Sequence, residues 1–363
     1  MPFEHGSFTV SIFELRDALP DNYLELFAAQ TAGMLDNVKD EPQIGWVSGR
    51  HLLENNIEEK TALRGGCLYL NLRKAERKMP ASLLNAICKR EELIYLQANN
   101  AQFVSGKVKK QIREEALEKH LMKMPPQIAG VPLVVDLATR SMYVGASSPT
   151  QIDDFIGFFF KTTNVEPLQL TPASLLETMF QTTLSSFPSI RFAEECDDEP
   201  APGRDFLTWL WYYSETAGKL SHPQYGEFDL LIEAPATFAF TAEARGAAET
   251  SIKKGGSPLR SAEAKAALTV GKKVKKAKFS LTRGDDIWSG VFDADRFSFS
   301  SFNLPEGENL EPESRFAERM LNLFIFQEAL KLYFHKFAES LLSMSWPEEE
   351  KNIRRWVEER DSI

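Results

Sequence analysis

Residues 314–342 constrain the fold more than any other part of the sequence. Apolar side chains point in nearly every direction around a helix built from these residues, and such a helix must be buried on several sides. The apolar residues are Met320, Leu321, Leu323, Phe324, Ile325, Phe326, Leu330, Leu332, Tyr333, Phe334 and Phe337. Charged residues interrupt the segment too often for a transmembrane helix. We therefore expect a long helix that is buried within a core or across a subunit interface.

Strand and helix patterns alternate irregularly along the 363 residues. Alternation of apolar and polar residues predicts strands at residues 8–13, 67–72, 131–136, 141–145, 166–168, 227–233, 238–243, 275–282 and 288–292. Helical patterns cover residues 22–34, 81–120 with an interruption near Gly106, 151–161, 205–215 and 262–267. These patterns predict an α+β fold, with mixed or antiparallel sheets flanked by long helices. A boundary at Thr171-Pro172 divides the chain into two expected regions, residues 1–170 and 171–363.

Positive charge is concentrated in residues 251–283, although the formal net charge of the chain is −10. The window contains ten Lys and Arg residues and one acid, a charge of +9 (10 − 1). Five of its cations stand at the start of a predicted strand: Lys272, Lys273, Lys275, Lys276 and Lys278. A strand that presents lysines suits contacts with phosphate, which need positive charge but no base recognition. The pattern favours DNA binding over an ordinary solvated surface.

A second basic segment follows Gly106 in the helical pattern. Its cations are Lys107, Lys109, Lys110 and Arg113. With the strand lysines, these residues form the predicted DNA-contacting set. The aromatic run Trp209-Leu210-Trp211-Tyr212-Tyr213 could stack on single-stranded bases, but its helical spacing favours a face buried in a core.

Motifs for metal, nucleotide or covalent chemistry are scarce. The histidines and cysteines lack metal-ligand spacing, and no phosphate-binding loop or nucleophile elbow occurs. We expect no catalytic residue, cofactor or metal site, and the cysteine usage fits a cytoplasmic protein. Asp229, Glu263 and Lys265 loosely imitate a magnesium-dependent nuclease set, which is the main catalytic alternative.

Residues 45–168 resemble the recombination-associated RdgC family. The resemblance is carried by Gly45-Trp46-Val47, Lys78-Met79-Pro80, Ile112-Arg113-Glu114-Glu115-Ala116-Leu117, Val135-Asp136, Tyr143-Val144-Gly145-Ala146-Ser147 and Pro167-Leu168. The order and spacing of these short motifs make it specific. One departure concerns Met122-Lys123-Met124-Pro125-Pro126, which lacks the aromatic residue that helps to close the ring in the family; Met124 could act there as an apolar plug.

The resemblance implies a non-enzymatic protein that binds DNA without sequence preference and modulates homologous recombination by limiting recombinase access. It further implies horseshoe-like subunits that pair into a ring-shaped homodimer around duplex DNA. The sequence leaves open whether duplex or single-stranded DNA is preferred. We therefore expect a cytoplasmic, nucleoid-associated protein that does not contact membranes. The alternatives are a metal-dependent nuclease and a factor that binds a recombinase without touching DNA.

Overall fold

The computed structural model describes residues 2–193, 200–241, 249–253, 258–307 and 311–360. Lys254 of the basic window and Cys196 lie outside the described residues. The described helices are α1 (Tyr23–Ala29), α2 (Glu59–Ala62), α3 (Ala81–Ala98), α4 (Gly106–Leu121), α5 (Pro149–Thr163), α6 (Pro172–Phe180), α7 (Pro202–Thr216), α8 (Ala262–Thr269), α9 (Pro312–Leu342) and α10 (Trp346–Glu359).

The strands range from the two residues of β3 to the fourteen of β9. They are β1 (Phe8–Leu15), β2 (Gln43–Ser48), β3 (Leu63–Arg64), β4 (Cys67–Glu76), β5 (Gln127–Asp136), β6 (Ser141–Val144), β7 (Pro167–Gln169), β8 (Lys219–His222), β9 (Gly226–Ala239), β10 (Glu249–Ile252), β11 (Lys273–Arg283), β12 (Asp286–Asp293) and β13 (Ser298–Asn303). The strand pairs with an assigned register in the described residues are all antiparallel. The predicted α+β class, with antiparallel strands and long helices, is confirmed.

The chain forms two compact units that interleave along the sequence. Unit 1 comprises Met1–Pro20, Leu63–Leu68 and Pro132–Ile363, and unit 2 comprises Asp21–Ala62 and Tyr69–Val131. Neither unit begins or ends at residue 170, and the domain boundary expected there stays a prediction.

Unit 1 is built on an antiparallel sheet with the strand order β10-β9-β11-β12-β13-β1-β6-β5. Strand β8 pairs with one end of β9, and β7 pairs with β1. One face of this sheet is apolar because alternate residues of β11 and β12, such as Phe279 and Phe292, point to the same side. That face is the core of unit 1.

Helix α9 lies against this apolar face. The ring of Phe326 packs against those of Phe279, Phe299 and Phe302, with centroid distances of 5.6, 5.0 and 4.6 Å. Further along the helix, Phe334 packs on Phe206 of α7 at 5.2 Å. The expected long, buried helix is confirmed. Most of its apolar residues are buried within unit 1, whereas Leu321 and Leu342 are 54% and 43% exposed. Burial across a subunit interface is not required to explain the buried ones.

Unit 2 contains the antiparallel pair β2–β4 and a hairpin made by α3 and α4. Gly45 on β2 lies so close to the backbone of Ala32 that an added Cβ would be only 2.5 Å from it. The next residue, Trp46, is fully buried, and its ring meets Phe27 edge-on at 5.0 Å. The motif Gly45-Trp46-Val47 is therefore a packing requirement of unit 2.

None of the helices in the described ranges has both the length and the apolarity that crossing a membrane requires.

Candidate nucleic-acid interface

Helix α4 is positioned by a polar cap and an apolar seam. The hydroxyl of Ser105 accepts a hydrogen bond from the backbone N–H of Val108, which satisfies one of the free donors at the start of the helix. Ile112 and Ala116 are one turn apart and are the buried residues of the helix. Ala116 packs with Met79 and Leu84, so the seam holds α4 against α3.

The predicted cations of α4 lie on its solvent side. Lys107, Lys109, Lys110 and Arg113 are all exposed, and residues 106–113 contain no acid. Lys110 lies 3.8 Å from Glu114, but both side chains are largely exposed, and such pairs contribute little. The structure thus presents these cations to solvent, as the sequence predicts.

The start of α4 is electrostatically unusual for a helix. Its first turn has no acidic residue, and the peptide dipoles already give this end a partial positive charge. Lysines here raise the local potential further, which costs helix stability. A bound phosphate would offset both contributions, because free backbone N–H groups and side-chain cations then share one anion.

Phe103 is a candidate that the sequence analysis missed. It lies in the loop between α3 and α4 and is 79% exposed. An aromatic ring beside a basic helix end can stack on an unpaired base. The sequence signal was available, since Phe103 follows the polar residues Asn99, Asn100 and Gln102.

Two of the strand lysines that were predicted to contact DNA are buried. Lys273 is 1% exposed and its Nζ lies 2.5 Å from a carboxylate oxygen of Asp205, which is 2% exposed. Lys272 is also buried, where its Nζ donates to the hydroxyl of Thr250 at 2.7 Å and lies over the ring of Phe240. The expectation that Lys272 and Lys273 face DNA from a solvent-exposed strand is wrong, because β11 begins inside the fold.

The other three strand lysines are paired with carboxylates from distant parts of the chain. Lys276 lies 2.9 Å from Asp293, and Lys278 lies 2.6 Å from Glu233. Lys275 contacts Glu249 closely and lies 3.9 Å from Asp295. Asp293 and Glu233 lie on the neighbouring strands β12 and β9, Glu249 lies on β10 beyond β9, and Asp295 lies in the turn after β12. Contacts of Lys275, Lys276 and Lys278 with phosphate stay a prediction, although their charge is already compensated within unit 1.

The residues of the nuclease alternative are not brought together. Asp229 pairs with Lys219 of β8 and Thr282 of β11, at the start of β9. Glu263 and Lys265 lie on α8, which packs on β10, and β10 pairs with residues 236–239 of β9. Seven residues of extended strand separate Asp229 from that end, roughly 23 Å. Across the described ranges, no group of three His, Cys, Asp or Glu side chains could hold a metal.

The aromatic run at residues 209–213 is part of the core. Trp209 and Trp211 are each 1% exposed, and the ring of Trp209 packs on Phe337 of α9 at 5.5 Å. The predicted core role is confirmed.

A scan of family models matches residues 12–185, just under half of the chain, to the family described as "Putative exonuclease, RdgC". The resemblance to the RdgC family is confirmed. A search of curated proteins gives no match. The match covers residues 12–15 of β1, all of unit 2 and the helices α5 and α6, and therefore includes α4 with its four exposed cations.

The segment 122–126, where the sequence suggests a departure from the family pattern, lies just after α4. Met124 is partly buried against the α3–α4 seam, and its carbonyl accepts a hydrogen bond from Arg77. Met122 is the more exposed of the two methionines, at 50%. The apolar plug expected of Met124 stays a prediction.

Proposed function

We propose that this chain is a DNA-binding protein of homologous recombination that acts by occupying DNA and limits recombinase access. The observation that carries the proposal is the run of exposed cations at the start of α4, inside the segment that matches the RdgC family. Lys107, Lys109 and Arg113 have no carboxylate within ion-pair distance among the described residues. Their charge is available to an external polyanion.

The chemistry of these side chains favours binding without sequence preference. Lysine and arginine contacts with phosphate fix a protein on nucleic acid but do not distinguish bases. Phe103, next to the same helix end, adds a ring that could stack on any base. This combination accommodates duplex DNA through its phosphates and single strands through both phosphate and base.

The printed family description names an exonuclease, which makes nuclease activity the second candidate function. Asp229 is far from Glu263 and Lys265 along the fold, so that set does not support it. We propose that the chain binds DNA without cleaving it.

A titration of labelled linear duplex and single strands, with and without magnesium, tests both candidates. We expect binding whose log affinity falls linearly with log salt concentration, because each phosphate contact releases condensed counterions. We expect the DNA to keep its full length. Magnesium-dependent shortening of the DNA would contradict the proposal that the chain only binds it. Failure to bind any DNA, together with binding of a recombinase, would favour a protein-only interaction factor.

We also propose that the chain forms a homodimer, as the family resemblance implies. Light scattering at micromolar concentration should give about twice the 41.0 kDa chain mass. A monomer throughout the accessible concentration range would remove an encircling dimer and leave DNA binding itself untouched. The buried apolar residues of α9 give no support to a dimer, since they are already covered within unit 1.

A further inference from the structure

A polar pocket of about 470 Å³ lies in unit 1 between the end of α7 and helix α10. Three arginines line it: Arg260, Arg355 and Arg360. Thr216 and Asn352 add neutral hydrogen-bonding groups. The volume falls within the range of small-molecule sites and exceeds that of a single inorganic ion.

One side of the pocket is fixed by an ion pair between Arg360 and Glu215. The guanidinium of Arg360 contacts both carboxylate oxygens, with a distance of 2.7 Å from Nη2 to Oε1. The indole N–H groups of Trp211 and Trp356 donate to the same carboxylate at 2.9 and 2.8 Å. Burial works against ionisation of Glu215, but the hydrogen bonds from Arg360 and the two indoles outweigh it and lower the pKa of the carboxyl.

This arrangement neutralises the charge of Glu215 and fixes the positions of Arg360 and the two indoles. The carboxylate already accepts from the guanidinium and from both indoles, so it is a weak acceptor for anything else. Arg360 also donates to the carbonyl of Leu259 at 3.0 Å, which fixes the backbone next to Arg260. The guanidinium lies over the rings of Trp211 and Trp356 at 4.2 and 4.8 Å and is held there by cation–π contact.

The remaining two arginines are free to bind a ligand. Arg260 and Arg355 are exposed, and neither lies within ion-pair distance of a carboxylate in the described part of the chain. Glu359 also lines the pocket, so the charged groups that face it are three arginines and two glutamates, one of which is Glu215. Two unpaired guanidinium groups beside a pre-satisfied carboxylate favour an anion with several oxygens.

We propose that this pocket binds a phosphate monoester, with Arg260 and Arg355 as its two clamps. The source is a free nucleotide or a 5′-phosphorylated DNA end, since both carry this group and the pocket has room for the attached sugar. Asn352 supplies an amide donor suited to the remaining phosphate oxygens. The proposal does not depend on DNA binding by α4, which belongs to unit 2.

Calorimetric titration of the full chain with inorganic phosphate, 5′-dAMP and deoxyadenosine tests the pocket. We expect the phosphate-bearing compounds to bind and deoxyadenosine not to bind. The double variant Arg260→Gln, Arg355→Gln should lose at least tenfold in affinity for 5′-dAMP, while its melting temperature stays unchanged because both side chains are exposed and unpaired. Lys351→Gln is the matched control, because Lys351 is an exposed cation of the same helix that does not line the pocket.

Short oligonucleotides with and without a 5′-phosphate then identify the source. Displacement of 5′-dAMP by the phosphorylated oligonucleotide alone assigns the site to DNA ends, and displacement by neither assigns it to free nucleotides. Equal displacement by both oligonucleotides would contradict recognition of a monoester. Absence of 5′-dAMP binding at millimolar concentration, or equal binding by the double variant, would overturn the proposal. The α4 variants described below should keep this pocket's affinity, so failure of one site does not imply failure of the other.

Discussion

Replacing Lys273 by Met is expected to lower the free energy of unfolding by about 3–5 kcal/mol, the usual cost of removing one partner from a buried ion pair. Lys273 and Asp205 are 1% and 2% exposed, so the variant leaves the carboxylate in the core without its cation. Ser189 stays within 3.2 Å of Asp205 but carries no charge. This is a large fraction of the stability of an ordinary domain.

The loss should depend on pH in a definite direction. Burial raises the pKa of Asp205 even in the intact protein, where Lys273 opposes the shift. Without Lys273 this pKa rises further, so the folded variant binds a proton more readily than the unfolded chain does. Its stability therefore increases as the pH falls, and the deficit relative to the intact protein is largest near neutral pH.

Chemical denaturation at several pH values measures both effects. Lys278→Met is the matched control, because Lys278 belongs to the same strand but is 43% exposed and should cost less than about 1 kcal/mol. The double variant Asp205→Leu, Lys273→Met should recover much of the loss, since it removes both buried charges. A loss for Lys273→Met no larger than that of the control would show that the pair is not buried as described.

Replacing Lys107, Lys109 and Arg113 together by Gln is expected to weaken DNA binding by about two orders of magnitude near 0.1 M salt. The slope of log affinity against log salt should flatten by up to about 2.7 on duplex, or roughly 0.9 for each lost contact. The loss should be the same for all sequences. Folding should be unaffected or slightly improved, because lysines at a helix start oppose the helix dipole.

The strand lysines provide a control with the same change of charge. The triple variant Lys275→Gln, Lys276→Gln, Lys278→Gln also removes three cations, but each of these has a carboxylate partner in the fold. We expect its salt slope to stay near that of the intact protein. If this variant flattens the slope and the α4 variant does not, the strand carries the DNA and α4 does not.

Much of the secondary structure could be predicted because local patterns decide it. The alternation at residues 8–13 predicts β1, and the segments around Ala138 and Thr139 predict the β5–β6 hairpin. The sequence analysis missed β13, where Phe299 and Phe302 are buried but the intervening serines hide the alternation. It also missed α10, whose many charges leave only Ile353 and Val357 to be buried.

The candidate DNA-contacting residues could be predicted only where their cations stay exposed and are not compensated by carboxylates from distant parts of the chain. The cations of α4 could be found because no acid lies within residues 106–113, and only Lys110 comes within ion-pair distance of a carboxylate among the described residues, that of the exposed Glu114. For the strand lysines, the sequence does not show that carboxylates compensate their charge. Asp205 is 68 positions before Lys273 (273 − 205) and Glu233 is 45 before Lys278 (278 − 233), and only the pairing of strands and helices brings them together. A one-dimensional count of charge cannot detect such neutralisation.

The pairing of the β11 lysines makes the polycation at residues 273–278 a property of the unfolded chain. In the folded protein, carboxylates from α7, β9, β10 and the end of β12 compensate these lysines. In the unfolded chain these partners are dispersed, and the segment is free to attract nucleic acid. A ligand that prefers the unfolded chain shifts the equilibrium towards unfolding. Under the proposed function, DNA bound at α4 would stabilise the native protein, whereas DNA bound to the unfolded β11 segment would oppose folding. The pairing of Lys273 with Asp205 withdraws this lysine from DNA once the chain has folded.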